Sequence, residues 1–399
     1  MVLLKTDCRP NFFTKWLKRT PVAWLQLMRE KNRLLVAIAG ITFADFLMFM
    51  QLGFQDALYD SCRTPYQALD TDIVLASSDY KTIARTESTF RSRLYQAQGI
   101  PGVKSVTPVY LDVAKWRNPL TREARTILVF GVNPDHAPFL DPEIKANLHK
   151  VRPLNALLFD RASRSEFGPI PQMFSQQRTV QTELGVRLVT VTGLFSLGAS
   201  FAFDGNVIVS DTTFHNIFPN RHPDRMDLGL IRLQPGADVK KVQAQLRQFL
   251  PPEVLVLTKA EMAEVEVRYW AESTPIGFIF GLGVGIGFVV GVAIVYQILY
   301  SDVVDHLSEY ATLKAMGYSN LSLLSILFQE ALLLAVLGYI PSLFISIGFY
   351  QLTRIATFLP MGMSLAKASL VFGLTVLMCL SSAAISSQKL LAADPADIF

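Results

Sequence analysis

Residues 276–317 read IGFIFGLGVGIGFVVGVAIVYQILYSDVVDHLSEYATLKAMG, and this stretch decides the architecture. Between Ile276 and Tyr300 there is no charged residue. A helix of that length crosses a hydrocarbon core of about 30 Å. Gly277 and Gly281, then Gly283, Gly287 and Gly291, recur at four-residue spacing, the pattern that lets a second helix approach closely. The apolar run stops at Ser301-Asp302. An amphipathic helix is expected over 303–316, with Val303, Leu307 and Tyr310 on one face and Asp305, His306, Glu309 and Lys314 as its polar members. Gly317 supplies a left-handed stop, and Lys314 suits the negative end of the helix dipole. Another apolar run follows. A membrane helix, a short polar helix and a return to the membrane is a layout in which a membrane domain can meet a motor. The 303–316 segment therefore reads as a docking helix or, alternatively, as a solvated connector.

Working outward, 51% apolar and only 18% charged residues describe a membrane protein with a sizeable polar portion. The net charge of +4 comes with no long basic run and no aromatic-basic interleaving, so there is no case for nucleic-acid binding. Cys8, Cys62 and Cys379 fall in separate segments, and no intramolecular disulfide is expected.

The segment 1–33 is basic, with Thr20-Pro21 as an N-cap pair and Trp24, Leu25, Leu27 and Met28 as the apolar face of an interfacial helix against membrane lipid. The first span is expected at 34–54. It is too long for the apolar region of a signal peptide, so it reads as an uncleaved anchor with the N-terminus in the cytoplasm. A periplasmic α+β domain is expected over 55–275. Strands are expected at 72–75, 103–113, 126–132, 228–233 and 253–257, with helices at 87–98 and 238–250. They make two βαβ-like units that bracket a β-rich insert, in which 186–194 and 206–209 read as strands. A charged stalk helix over 258–273 leads to the second span at 276–300. The inner loop is 301–320 and the third span 321–352, with a kink expected at Pro341. A short outer loop at 353–367, a fourth span at 368–387 and a cytoplasmic tail at 388–399 complete an inner-membrane, multi-pass topology.

No phosphate-binding GxxxxGK[ST] loop, HExxH or GxSxG motif occurs, and the five histidines are scattered, so no catalytic, cofactor or metal residue is assigned. Polar groups near the membrane carry the interest instead. Asp45 lies in the first span, where a charge costs about 2.5–3.5 kcal/mol on insertion scales. It reads as a helix-packing residue, directed toward Tyr296 or Gln297, or as a gating residue. Glu330 reads as an interfacial acid or as a contact for a motor subunit. Gly283, Gly287 and Gly291 are expected to pack the second span against another span, within the chain or across a dimer axis.

The run Glu309-Tyr310-Ala311-Thr312-Leu313-Lys314-Ala315-Met316-Gly317 resembles the E-x-(G/A)-x-(L/M)-(K/R)-A-(L/M)-G coupling segment of FtsX/MacB-type ABC transporter permeases. Gln329-Glu330-Ala331 resembles the start of their third span. Ala23-Trp24-Leu25-Gln26-Leu27, Phe43-Ala44-Asp45, Met50 to Phe54, Phe159-Asp160-Arg161, Glu166-Phe167-Gly168 and Asp394-Pro395-Ala396-Asp397 resemble the DevC group, the heterocyst-type glycolipid exporter permeases. The resemblance implies a homodimer that couples through the motif with Glu309, Tyr310, Lys314 and Gly317, and through Glu330, to a separate, DevA-like ABC ATPase; the shared helical face of Val303, Leu307 and Tyr310 is expected to dock on the same subunit. That subunit would bind the ATP and Mg, and this chain would hold no cofactor. The resemblance also implies a DevB-like periplasmic membrane fusion protein, a TolC-like outer-membrane channel and export of a glycolipid-like amphiphile by mechanotransmission. An FtsX-like regulator and a lipoprotein-release permease are the alternatives.

Overall fold

The computed structural model describes residues 28–177, 179–357 and 359–392. The expected interfacial helix falls mostly before residue 28 and the end of the expected tail after residue 392, outside the described residues. The chain forms two compact units: Phe54–Ile279 with Leu352–Met361, and the remainder.

In chain order the elements are α1 (Lys31–Gln67), β1 (Ile73–Ser77), β2 (Thr89–Phe90), α2 (Arg91–Ala97), β3 (Val103–Arg117), β4 (Ala124–Val132), α3 (Pro142–Asn147), β5 (Ala156–Asp160), α4 (Ile170–Gln177), β6 (Val180–Leu184), β7 (Arg187–Phe195) and β8 (Asn206–Ser210). They continue with α5 (Asp211–Ile217), β9 (Arg225–Met226), β10 (Leu228–Leu233), α6 (Val239–Phe249), β11 (Val254–Thr258), α7 (Lys259–Glu272), α8 (Pro275–Asp305), α9 (Leu307–Ala315), α10 (Asn320–Thr357) and α11 (Leu365–Ala392). Helices α1, α8, α10 and α11 are long and apolar enough to cross a membrane. The large β-rich domain is inserted between the first of these and the rest.

In that domain nine strands pair in the order β11-β1-β10-β3-β4-β8-β5-β7-β6. The two βαβ-like units interleave. β10 sits between β1 and β3, and β1 sits between β10 and β11, all antiparallel. This is a split βαβ sheet. The expected β-rich insert is not a separate lobe. It borrows β3 and β4, and Trp116 of β3 pairs with Leu184 of β6, which closes β3, β4, β8, β5, β7 and β6 into a ring. β3 can serve both systems because it is fifteen residues long. Inside the ring, the buried Trp116 packs against Phe159, and its indole N–H donates to the Phe167 carbonyl at 3.0 Å. Asp160, at the end of β5, is buried and accepts from the Leu197, Gly198 and Ala162 amides and from Asn206 Nδ2 at 2.8 Å. Burial pushes its carboxyl above the usual range, against the pull of those hydrogen bonds.

Helix α1 runs well past the expected span end at residue 54. Ala57, Leu58, Cys62 and Tyr66 recur at helical spacing and are buried in the domain, so the same helix continues with a new apolar face. Helix α7 opens with a capping box in which Thr258 Oγ1 accepts from the Glu261 amide and Glu261 reaches back to the Thr258 amide. Its Glu266 is 1% exposed. The Glu266 carboxyl accepts from Tyr66 Oη at 2.7 Å, Thr82 Oγ1 at 2.5 Å, the Ile83 amide at 2.9 Å and Trp270 Nε1 at 3.0 Å. One side chain thus satisfies four donors from three segments.

Candidate functional site: the ends and faces of the long helices

In the helical unit, α8 packs by its glycines. A Cβ at Gly283 would stand 2.5 Å from Gln51 Cδ, at Gly287 3.1 Å from Met48 Cγ, and at Gly291 2.0 Å from Met378 Sδ and 3.0 Å from Ala44 Cβ. All three face α1, and Gly291 also meets α11, so this glycine face is filled from within the chain. Gly338 of α10 is as tight, with Ile41 Cβ 2.6 Å from the position its Cβ would take. Small residues let these backbones close on one another where lipid removes any hydrophobic drive between helices.

Asp45 is fully buried in this bundle. Its carboxyl accepts from Thr375 Oγ1 of α11 at 2.8 Å and from Ser342 Oγ of α10 at 3.4 Å. The expected direction toward Tyr296 or Gln297 on α8 is therefore corrected: the acid ties α1 to the other two long helices, whose small hydroxyl residues face it.

The 303–316 stretch is not one helix. α8 continues to Asp305, the chain turns at His306, and α9 covers Leu307–Ala315. The expected outward face is inverted as well. Val303 and Tyr310 are buried, and with the partly buried Leu307 and Leu313 they pack on Leu323, Leu327 and Leu334 of α10. The period did place these residues on the same side, but it is the side turned toward the bundle. The opposite side carries Val304, Ser308, Thr312 and Met316, and the exposed path continues through Tyr318 to Leu321. Gly317, at φ 93°, ends α9 in a Schellman turn: its amide donates to the Lys314 carbonyl and the Tyr318 amide to the Leu313 carbonyl. Glu309 is half exposed, 3.7 Å from the exposed Arg29, a pair of little energetic weight.

Glu330 is placed differently from either sequence reading. It is 2% exposed and lines a small cavity with Glu30, Arg33, Ile298 and Asp302. Arg33 donates to Glu30 at 2.8 Å, Ser301 at 2.7 Å and Asp305 at 2.6 Å, and lies 3.6 Å from Asp302. Arg33 and Asp302 are thus site residues that the sequence does not single out, and His306, expected only as a polar member of the 303–316 helix, joins them. In the sequence, Arg33 is one residue of a basic flank. The one available signal was the four-residue spacing of Asp302 and His306 at the edge of an apolar run. Among the described residues no group of three metal-ligating side chains comes together.

Two family descriptions match the chain. The MacB-like periplasmic core domain covers residues 34–249, and the FtsX-like permease C-terminal region covers residues 276–395. Among solved structures, the chain is similar to the periplasmic region of MacB from Actinobacillus actinomycetemcomitans, at 10% identity over 49% of this chain and 92% of that one, with a TM-score of 0.35. It is also similar to the extracellular domain of the noncanonic ABC-type transporter YknZ from Gram-positive bacteria, at 15% identity over 47% of this chain and 98% of that one, with a TM-score of 0.31. No curated protein sequence matches it.

Proposed function

The chain belongs to the family with the MacB-like periplasmic core domain and carries the FtsX-like permease region behind it, and from this we propose that it is the permease subunit of a MacB-like ABC exporter. In this reading it works as a homodimer in the inner membrane, with both termini in the cytoplasm and the β-rich domain in the periplasm. A separate ABC ATPase binds ATP and Mg. A membrane fusion protein and a TolC-like channel carry a glycolipid-like amphiphile onward, driven by motion of the permease helices. The observation that carries the proposal is the 304–321 segment. A short helix, locked by a Schellman turn and packed on α10, turns Val304, Met316, Tyr318 and Leu321 outward between two helices able to span a membrane.

The test is a double variant, Met316→Asp with Leu321→Asp, chosen because both side chains are exposed. Each exposed large apolar group that is buried on docking contributes about 1.5–3 kcal/mol. Co-purification of the ATPase is therefore expected to fall at least tenfold while the variant stays in the membrane. Unchanged ATPase recovery and export would remove the docking assignment. A cell-wall hydrolase recovered in place of an adaptor would favour the FtsX-like regulator.

The orientation has its own test. In a cysteine-free background, Ser165→Cys is expected to react with an impermeant thiol reagent in outer-permeabilised cells, and Ser319→Cys only after the inner membrane is broken. Both serines are exposed, so a failure to label is not a matter of burial. Labelling of position 319 in cells with an intact inner membrane would reverse the topology.

A further inference from the structure

Asp302, three residues from the end of α8, and Glu330, in the third turn of α10, approach each other across the cavity described above. They are 6% and 2% exposed. Asp302 Oδ2 and Glu330 Oε2 each lack a hydrogen-bond partner among the described residues. Both carboxyls line one cavity with Arg33, and it measures about 10 Å³, room for no more than one water-sized particle. What the pair lacks is a hydrogen.

The neighbouring charges do not supply it. Arg33, on α1, already donates to Glu30, Ser301 and Asp305, and reaches only the other oxygen of Asp302, at 3.6 Å. His306 Nδ1 lies 3.1 Å from the Asp302 carbonyl and 3.5 Å from Asp302 Oδ1, so it too faces away from the orphaned oxygen. Among the described residues, the groups acting on the pair are Glu30 and Arg33 from α1 and its lead-in, and Asp305 and His306 beside Asp302. Among the described residues, four carboxyls thus share one guanidinium and one imidazole. Two carboxylates placed this close cannot both hold a charge without a further cation between them.

We propose that Asp302 and Glu330 form a proton-binding site: one proton, held between Asp302 Oδ2 and Glu330 Oε2, clamps α10 to the junction of α8 and α9. On release, the O–H bond of the protonated carboxyl breaks, its electron pair stays on that oxygen, and the proton passes to water. Two facing carboxylates remain, and the junction that carries α9 loosens. The site makes this end of the helical unit sensitive to proton concentration.

The experiment compares the full-length wild type with Glu330→Gln and Asp302→Asn in nanodiscs. The apparent thermal midpoint of the wild type is expected to fall by about 5 °C between about pH 6 and about pH 9 relative to Glu330→Gln. In that variant the amide donates permanently to Asp302 and removes this part of the pH dependence. Infrared difference spectra of the wild type across the same range are expected to show loss of a protonated-carboxyl C=O band that is missing from both variants. That measurement needs only Asp302→Asn to fold if Glu330→Gln does not. Parallel pH profiles in all three proteins, or a band that survives both substitutions, would overturn the proposal. So would a wild-type midpoint that follows sodium concentration at constant ionic strength and pH, since the occupant would then be a metal cation.

Discussion

Glu266→Ala is expected to lower the apparent thermal midpoint of the purified full-length chain by about 10 °C. The carboxyl accepts four hydrogen bonds, from Tyr66, Thr82, the Ile83 amide and Trp270, and is 1% exposed. Truncation leaves those donors facing a void. Each unsatisfied buried donor costs about 1–3 kcal/mol, so even the low end of the range comes to about 4 kcal/mol. For a domain of this size a kilocalorie moves the midpoint by about 2–4 °C. Glu266→Gln keeps an acceptor and the shape of the side chain, and its loss should be less than half as large. A Glu266→Ala midpoint within about 2 °C of wild type would mean that water replaces the carboxyl at no cost, and that the network is not what holds α7 and the end of α1 to the sheet.

The second large effect lies in the helical unit. Gly291→Leu places a Cβ 2.0 Å from Met378 Sδ and 3.0 Å from Ala44 Cβ. Met378 is flexible and can withdraw, but Ala44 has no side-chain torsion to yield, so α8 must move away from α1. Overpacking of this kind costs about 1–3 kcal/mol or more, and the yield of monodisperse protein from membranes should drop by on the order of tenfold. Gly285→Leu is the matched control. It sits on the same helix with nothing within 4 Å of its Cβ position, and its yield should equal wild type. Equal yields for the two variants would show that the glycine face does not set helix spacing.

How far these features were legible beforehand depended on the kind of information each one needs. The edges of β10, the start of β3 and the Gly317 stop were readable because alternation, turn residues and a left-handed glycine act locally. β5 escaped notice because Ala156–Asp160 is buried on both faces and carries no alternation. The ring closure depends on Trp116 meeting Leu184, a pairing that local periodicity does not encode. In the candidate site, periodicity grouped Val303, Leu307 and Tyr310 on one side, but it gives no sign of whether that side faces solvent or a neighbouring helix. In a chain read as a membrane protein, an apolar stripe beside two spans has a ready partner in the spans themselves. The partners of Asp45 were likewise out of reach, since Ser342 and Thr375 are unremarkable until three helices bring them together. Asp302 and Glu330 belong to helices separated by α9, and only their shared cavity makes them a pair.

The interleaving of β1 between β10 and β11 has a consequence for biogenesis. Ile73 pairs with Ile231 on one side and Thr258 on the other, so the first strand synthesised waits for the last two. During elongation its backbone donors and acceptors remain open on both edges while most of the domain emerges. Contacts this distant in sequence form slowly, and open strand edges invite association with other chains. The strands of the ring pair over shorter separations and can assemble first, offering β3 as a template. A nascent chain arrested before residue 228 would therefore present a formed ring beside an unpaired β1, which is the state that a holdase would have to recognise.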